Sequence, residues 1–193
     1  CDGSTCYPDV GLNDPLPPIE KAPVTCPMQH YEEVIREGAT HYYKTNIKEF
    51  ARLASIQEAQ CYEHDGQEIR TRIPRIEETI EFAKKCGYQT LGLAFCLGLR
   101  KEARQLTKIF ESKGFDVASV ACKVGRAPKE TLGLTGEEKI RGPEAMESMC
   151  NPIVQARLLN QQNVDLVILL GLCVGHDTLF FKYTEVPCTV LAV

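Results

Sequence analysis

Four cysteines between residues 96 and 173 carry the strongest chemical signal. Cys96, Cys122 and Cys173 each end an apolar run that is typical of a β-strand. Cys150 directly precedes a helix start at Asn151-Pro152. In a parallel sheet, ligands collect at the carboxyl edge, where strands end and crossover helices begin. We therefore expect these four thiols to converge from four separate loops.

Four convergent thiolates are the ligand set of a [4Fe–4S] cluster or of a tetrahedral zinc ion. Helix N-termini would lower the thiol pKa values and so favour the ligating form. The iron–sulfur cluster is preferred because structural zinc sites usually use closely spaced cysteine pairs, which this set lacks. Backbone amides could approach the sulfurs at Gly98, Gly125 and Gly175. His176 is a further candidate, as a partner or proton donor at the cluster.

A second group of cysteines lies in the N-terminal segment, residues 1–30. The first 28 residues hold six of the eleven prolines and show no helical or strand periodicity. Something other than regular backbone ladders must therefore hold this segment. Metal ligation through Cys1, Cys6 and Cys26 would do so, either as a separate site or as a lid that brings ligands to the core site.

Every thiol also has an ordinary explanation, because cysteine is a small apolar residue that often ends buried strands by chance. Cys86 and Cys188 fall at the opposite edge of the predicted sheet and are expected to be core residues. Cys61 is expected on a helix face, with a smaller prospect of completing the N-terminal site. Disulfides need an oxidising compartment, and the chain shows no hydrophobic signal segment, so we expect a cytoplasmic protein with free thiols.

A hydrolase is the competing chemistry. The sequence GLCVG at 171–175 matches a nucleophile elbow with Cys173 in place of serine. Such enzymes need an acid and then a histidine further along the chain. The only histidine after Cys173 is His176, which is too close on the same turn to act as the usual base, so this alternative ranks below metal binding.

The pattern of apolar runs predicts an α/β fold. From Gln89 onward, short apolar runs alternate with amphipathic segments, as in βαβ units. The sequence predicts a Rossmann-like parallel sheet flanked by helices in a domain at 31–193 (helical at 31–87, sheet at 88–193), after the irregular Cys- and Pro-rich segment 1–30. The expected helices are a helical stretch from Glu32 to about Glu63, a helix from Pro74 to Gly87, and helices at 99–114 and 151–163. Strands are expected at 90–96, 116–122, 165–173 and 188–193. A loop with room for one short helix is expected at 123–149, and a short amphipathic piece at 177–183.

Composition limits the partners. The 193 residues are 44% hydrophobic and 25% charged, with a formal net charge of −4, so no basic surface is expected to gather nucleic acid. The longest apolar run, 166–174, is far shorter than the roughly 20 residues of a membrane-spanning helix. The expected partners are a redox protein or a small-molecule substrate, and the oligomeric state is left open.

The segments CNPIVQARLLN (150–160) and GLCVGHDTLFFKY (171–183) resemble an uncharacterised, cysteine-rich microbial family of metal-binding proteins, domain of unknown function 1847. The resemblance covers most of the chain and includes Cys96 and Cys122. It implies metal binding in a cytoplasmic protein of an anaerobe, with a further N-terminal cysteine cluster that continues before Cys1. It implies no reaction.

Overall fold

The computed structural model describes residues 6–66 and 68–193. The chain forms two compact units, one up to Ile56 and one from Gln57 to Val193. Cys1 lies outside the described residues. Helix α3 (Thr45–Gln60) runs across the boundary between the units.

The first unit consists of short helices. A 3₁₀ turn (Ile19–Lys21) precedes α1 (Pro27–His30) and α2 (Glu32–Thr40). The Gln29 side chain links α1 to the 3₁₀ turn, because its amide donates to the carbonyls of Ile19 (3.0 Å) and Ala22 (2.9 Å). The helical stretch predicted from Glu32 is interrupted by a 3₁₀ turn at His41–Tyr43, after which Lys44 is extended and α3 begins.

The second unit starts with a hairpin that the sequence interpretation missed. Strands β1 (Tyr62–His64) and β2 (Ile69–Thr71) pair antiparallel. The sequence analysis predicts a helical stretch as far as about Glu63, so its end overlaps β1. The signal was present: Asp65-Gly66 is a common hairpin-turn sequence. Gly66 has φ +92°, a conformation that L side chains rarely adopt.

A four-stranded parallel sheet forms the centre of this unit, as predicted. Its strands, β3 (Thr90–Phe95), β4 (Asp116–Ala121), β5 (Leu166–Leu170) and β6 (Cys188–Ala192), lie in the order β4-β3-β5-β6. Four helices flank the sheet: α4 (Arg75–Lys85), α5 (Arg100–Ser112), α6 (Pro152–Gln161) and α7 (His176–Tyr183). None of the helices in the described residues is both long and apolar enough to cross a membrane.

Side chains that alternate along the strands form two apolar layers, one on each face of the sheet. Leu91 and Leu93 of β3 pack with Phe110 of α5 on one face, whereas Ala94 packs with Leu159 of α6 on the other. Because strand side chains alternate between faces, each central strand contributes to both layers. This explains why β5 is buried along its whole length.

The strand order creates a switch point between β3 and β5. The chain leaves β3 for β4 on one side and then crosses to β5 on the other. In parallel sheets, such a reversal opens a crevice at the carboxyl ends of the two strands. The segments that follow β3, β4 and β5 therefore meet at one edge of the sheet. Cys96, Cys122 and Cys173 lie near the start of these three segments.

We expect Phe110→Ala to lower the free energy of unfolding by about 3–5 kcal/mol, because a large side chain with no exposed area would leave a cavity. Its neighbour Ile109 is 39% exposed and is a matched control on the same helix. Ile109→Ala should cost less than about 1.5 kcal/mol, since it loses less apolar burial. Urea denaturation measures both; equal losses would contradict the assignment of the core.

Candidate thiol centre at the carboxyl edge of the sheet

The structure brings two of the four predicted thiols into contact. The sulfurs of Cys122 and Cys150 are 3.8 Å apart, although the residues are 28 positions apart in sequence. The Cys122 side chain is buried, while Cys150 is partly exposed. Cys96 is partly exposed, and its thiol is close enough to Cys122 to affect the pKa of that thiol.

Backbone hydrogen bonds hold the pair in place. The Cys122 amide extends the sheet ladder by donating to the carbonyl of Phe95 (2.8 Å). The Asn151 amide donates to the carbonyl of Cys122 (2.7 Å), which ties the start of α6 to the end of β4. Asn151 also caps α6, because its side-chain oxygen accepts from the Val154 amide (3.3 Å), and Pro152 occupies the first turn. The Asn-Pro sequence thus fixes Cys150 beside Cys122.

Cys96 is held at the switch point. Its amide donates to the carbonyl of Leu170 (2.9 Å), and the next amide, that of Leu97, donates to the sulfur of Cys122 (3.3 Å). Gly171 packs against this turn with φ +68°; a Cβ at this position would clash with Leu99 Cδ1 and lie 3.7 Å from Cys96 Cβ. The absence of a side chain at Gly171 lets the loops after β3 and β5 pack together.

The surroundings of Cys150 favour its thiolate. A hydrogen bond with Cys122 lowers the pKa of Cys150 to about 5, with further lowering by the Lys123 ammonium and by His176, against an opposing effect of burial. The same hydrogen bond and burial raise the pKa of Cys122, while the Leu97 amide works in the opposite direction. The contact between the two sulfurs thus favours the thiolate of Cys150 and the protonated form of Cys122.

Lys123 is a site residue that the sequence interpretation missed. Its ammonium donates to the carbonyl of Ser148 (2.7 Å), so it spans the two ends of the 123–149 segment beside both thiols. The available signal was its position directly after Cys122, but lysine is so common on surfaces that position alone does not identify it.

Gln155 is a second missed residue. It is fully buried, and its amide nitrogen donates to the carbonyls of Val120 (2.8 Å) and Phe95 (3.4 Å). In the described part of the chain, its side-chain oxygen is a buried polar atom without a hydrogen-bond partner. Gln155 thus braces the strand ends that precede Cys96 and Cys122.

Cys173 lies in the loop after β5 and is exposed. The turn after it is closed by its own carbonyl, which accepts from the amides of His176 (3.0 Å) and Asp177 (3.2 Å). Within the described residues, no hydrogen bond joins the Cys173 sulfur to another thiol or to a histidine. The hydrolase interpretation of GLCVG remains a prediction without a contact that favours it.

The three candidate glycines lie around the site in different ways. Gly98 is near Cys96, because a Cβ there would be 3.6 Å from its sulfur. Gly125 (φ +87°) packs near the Asn151 side chain, and Gly175 (φ +86°) is the N-cap of α7. Among the described residues of this site, the backbone amide that donates to a thiol is that of Leu97, and the proposed glycine roles remain predictions.

Cys6 and Cys26 belong to the first unit, and Cys61, Cys86 and Cys188 belong to other elements of the second unit. In the first unit, Cys26 is buried at the N-cap of α1 and Cys6 is exposed. Cys61 is buried and accepts from the Gln57 amide (3.5 Å). Cys86 caps the C-terminus of α4 and Cys188 begins β6. Among the described residues, no three His, Cys, Asp or Glu side chains are arranged to hold a metal ion.

The lowered pKa of Cys150 predicts an unusual pH profile for alkylation. Only the thiolate reacts, so iodoacetamide labelling of Cys150 should rise through a midpoint near pH 5 rather than near the ordinary thiol value of about 8.5. Lys123→Met removes a neighbouring cation and should move the midpoint to higher pH. Lys108→Met, at an exposed position of α5, is the control. An unchanged midpoint in Lys123→Met would contradict this electrostatic assignment.

Comparison with known proteins gives a family but no activity. Residues 26–191 match the model of a family described as a protein of unknown function, DUF1847. An uncharacterized protein, MJ0455, of Methanocaldococcus jannaschii is 42% identical over 147 residues, which cover 76% of this chain and 74% of that protein. The region that matches the family model contains both central thiols and the parallel sheet except for Ala192, the last residue of β6. The chain therefore belongs to the DUF1847 family of proteins of unknown function.

Proposed function

We propose that this protein binds a metal through thiolates at the carboxyl edge of its sheet, with Cys122 and Cys150 as the central ligands. The observation that carries the proposal is the 3.8 Å separation of their sulfurs. Two thiolates on one tetrahedral metal ion lie about 3.8 Å apart, since the metal–sulfur bond is about 2.3 Å long. The pair therefore fits two corners of a tetrahedral site.

This separation also bears on the kind of metal centre. In a [4Fe–4S] cluster, each thiolate binds a different iron, so neighbouring ligand sulfurs lie further apart than on a single ion. A single zinc or iron ion, or one iron of a [2Fe–2S] cluster, takes two thiolates at the observed spacing. An iron–sulfur centre remains our primary proposal, with zinc as the alternative; a [4Fe–4S] form requires the pair to separate.

The surrounding groups suit a thiolate centre. The Leu97 amide already donates to the Cys122 sulfur, and amide donors stabilise charge on ligating thiolates. Lys123 supplies positive charge near Cys150, which offsets part of the negative charge that several thiolates would bring together, and His176 also lowers the pKa of that thiol. A metal would take the place of the proton that Cys122 and Cys150 now share.

Cys96 is the nearest candidate for a third ligand and Cys173 for a fourth. Both belong to the loops that meet at the switch point, and Cys173 is exposed on a short loop, so a side-chain and loop adjustment would be needed to complete the site. Cys1, Cys6 and Cys26 remain candidates for a second site.

With iron and sulfide bound by four thiolates, the centre would exchange electrons with a redox partner protein. We also propose a cytoplasmic location, because the nine described cysteines are free thiols.

Metal analysis of protein purified without oxygen tests the proposal. We expect stoichiometric iron with acid-labile sulfide and a brown colour for the iron–sulfur form, or zinc and no colour for the alternative. Cys122→Ser and Cys150→Ser should each deplete the metal, because a hydroxyl is a poor replacement for a thiolate. Cys86→Ser and Cys188→Ser are matched controls and should retain it.

Cobalt substitution gives an independent readout. Cobalt bound by thiolates produces a charge-transfer absorption whose intensity grows with the number of sulfurs. It should be strong in the wild-type protein and reduced in Cys122→Ser. Wild-type protein without bound metal, or pair variants that retain full metal content, would overturn the proposal.

A further inference from the structure

The sulfurs of Cys122 and Cys150 are close enough for movement of their side chains to bring them to bonding distance. The backbone bond between the Asn151 amide and the Cys122 carbonyl (2.7 Å) holds the two segments side by side. A disulfide requires sulfurs about 2.05 Å apart. Starting from 3.8 Å, modest rotation of the two side chains can close the gap without a change in the pairing of the segments.

Each end of the intervening segment is already bound to the other. Lys129 forms an ion pair with the buried carboxylate of Glu147 (2.7 Å), and the Met149 amide donates to the carbonyl of Ala127 (2.8 Å). Pro128 and Ser148 form an isolated antiparallel bridge. Residues 123–149 therefore leave the sheet and return to it along one stem, and a disulfide at the base of that stem joins parts that are already adjacent.

We propose that Cys122 and Cys150 are a redox modification site, at which a low-molecular-weight disulfide oxidises the pair to a reversible intramolecular disulfide. Cys150 is the partly exposed sulfur and Cys122 the buried one, so the small molecule reaches Cys150 first. The order of attack thus follows from accessibility.

The reaction balances as two successive exchanges. The Cys150 thiolate attacks one sulfur of the small disulfide; a mixed disulfide forms, the small S–S bond breaks and the first small thiol leaves as its thiolate. The Cys122 thiol gives its proton to that thiolate and its sulfur attacks the Cys150 sulfur; the protein disulfide forms, and the second small thiolate leaves and takes a proton from water. The protein loses two electrons and the proton of Cys122, and the small disulfide is reduced to two thiols.

This modification also regulates the proposed metal centre, and that consequence rests on the proposed function. Sulfurs joined to each other have no thiolate charge to give to a metal. Oxidation would release the metal, and bound metal would protect the pair from oxidation. The disulfide would also close the segment between the two cysteines and restrict its opening.

The test uses the intact, metal-stripped protein in buffers with graded ratios of oxidised to reduced glutathione, followed by trapping of free thiols with N-ethylmaleimide. Tryptic cleavage after lysine and arginine places Cys122 in peptide 114–123 and Cys150 in peptide 142–157, each with a single cysteine. We expect these two peptides to become linked as the ratio rises and to separate when the ratio is reversed.

Two variants test the order of attack. Cys122→Ser should accumulate glutathione on Cys150, because no second thiol resolves the mixed disulfide. Cys150→Ser should leave Cys122 largely unmodified, because that sulfur is buried. Cys188→Ser is the control and should link the two peptides as the wild type does. Cys122 and Cys150 that remain free at every ratio, or that link to other cysteines, would overturn the inference.

Repeating the oxidation after loading with zinc separates this inference from the proposed function. We expect bound zinc to slow disulfide formation and the oxidised protein to take up no zinc. If the peptides link but the reduced protein binds no metal, the redox site stands and the metal-binding proposal fails. If the reduced protein binds metal but the peptides never link, the redox inference fails and the metal-binding proposal stands.

Discussion

The parallel pairing of β3 with both β4 and β5 is the constraint on which the rest of the structure depends. Parallel strands in register end at the same edge, so residues that follow them in sequence become neighbours in space. The ladder extends past the strands, since the Cys122 amide bonds to Phe95 and the Cys96 amide bonds to Leu170. The thiols are thus positioned by the sheet itself, and flexible loops contribute little to the placement of Cys122.

The charge distribution at the edge follows from this arrangement. Burial disfavours ionisation of the Cys122 thiol. The partly exposed thiol of Cys150 lies near Lys123 and His176, which lower its pKa. One proton shared by two sulfurs is therefore the arrangement that avoids two adjacent negative charges. In the two proposals, the same sulfurs give up that proton to a metal or lose it on oxidation. The proposed metal binding and the proposed disulfide would be alternative uses of one pair, because both require the sulfurs to be close together.

Much of the architecture was predictable from the sequence, and the failures have physical causes. The strands and flanking helices of residues 88–193 follow from apolar periodicity and from residues that start or end helices, such as Asn151-Pro152 and Gly87. The β1–β2 hairpin was missed because its strands are three residues long and fully exposed, so they carry no apolar alternation. The break between α2 and α3 was missed for a related reason: no proline marks it, and a 3₁₀ turn uses the same residue types as a helix.

For the site, the sequence by itself determined that cysteines follow the strands and precede a helix, and hence that they face one edge. Only the tertiary structure decided that Cys122 and Cys150 are the two in contact, because strand order and the return path of residues 123–149 depend on packing between distant segments. Cys173 has the same strand-end position in sequence, yet its loop turns outward and leaves it exposed. The roles of Lys123 and Gln155 were equally hidden, since a side chain's charge partners and buried hydrogen bonds exist only once the chain has folded.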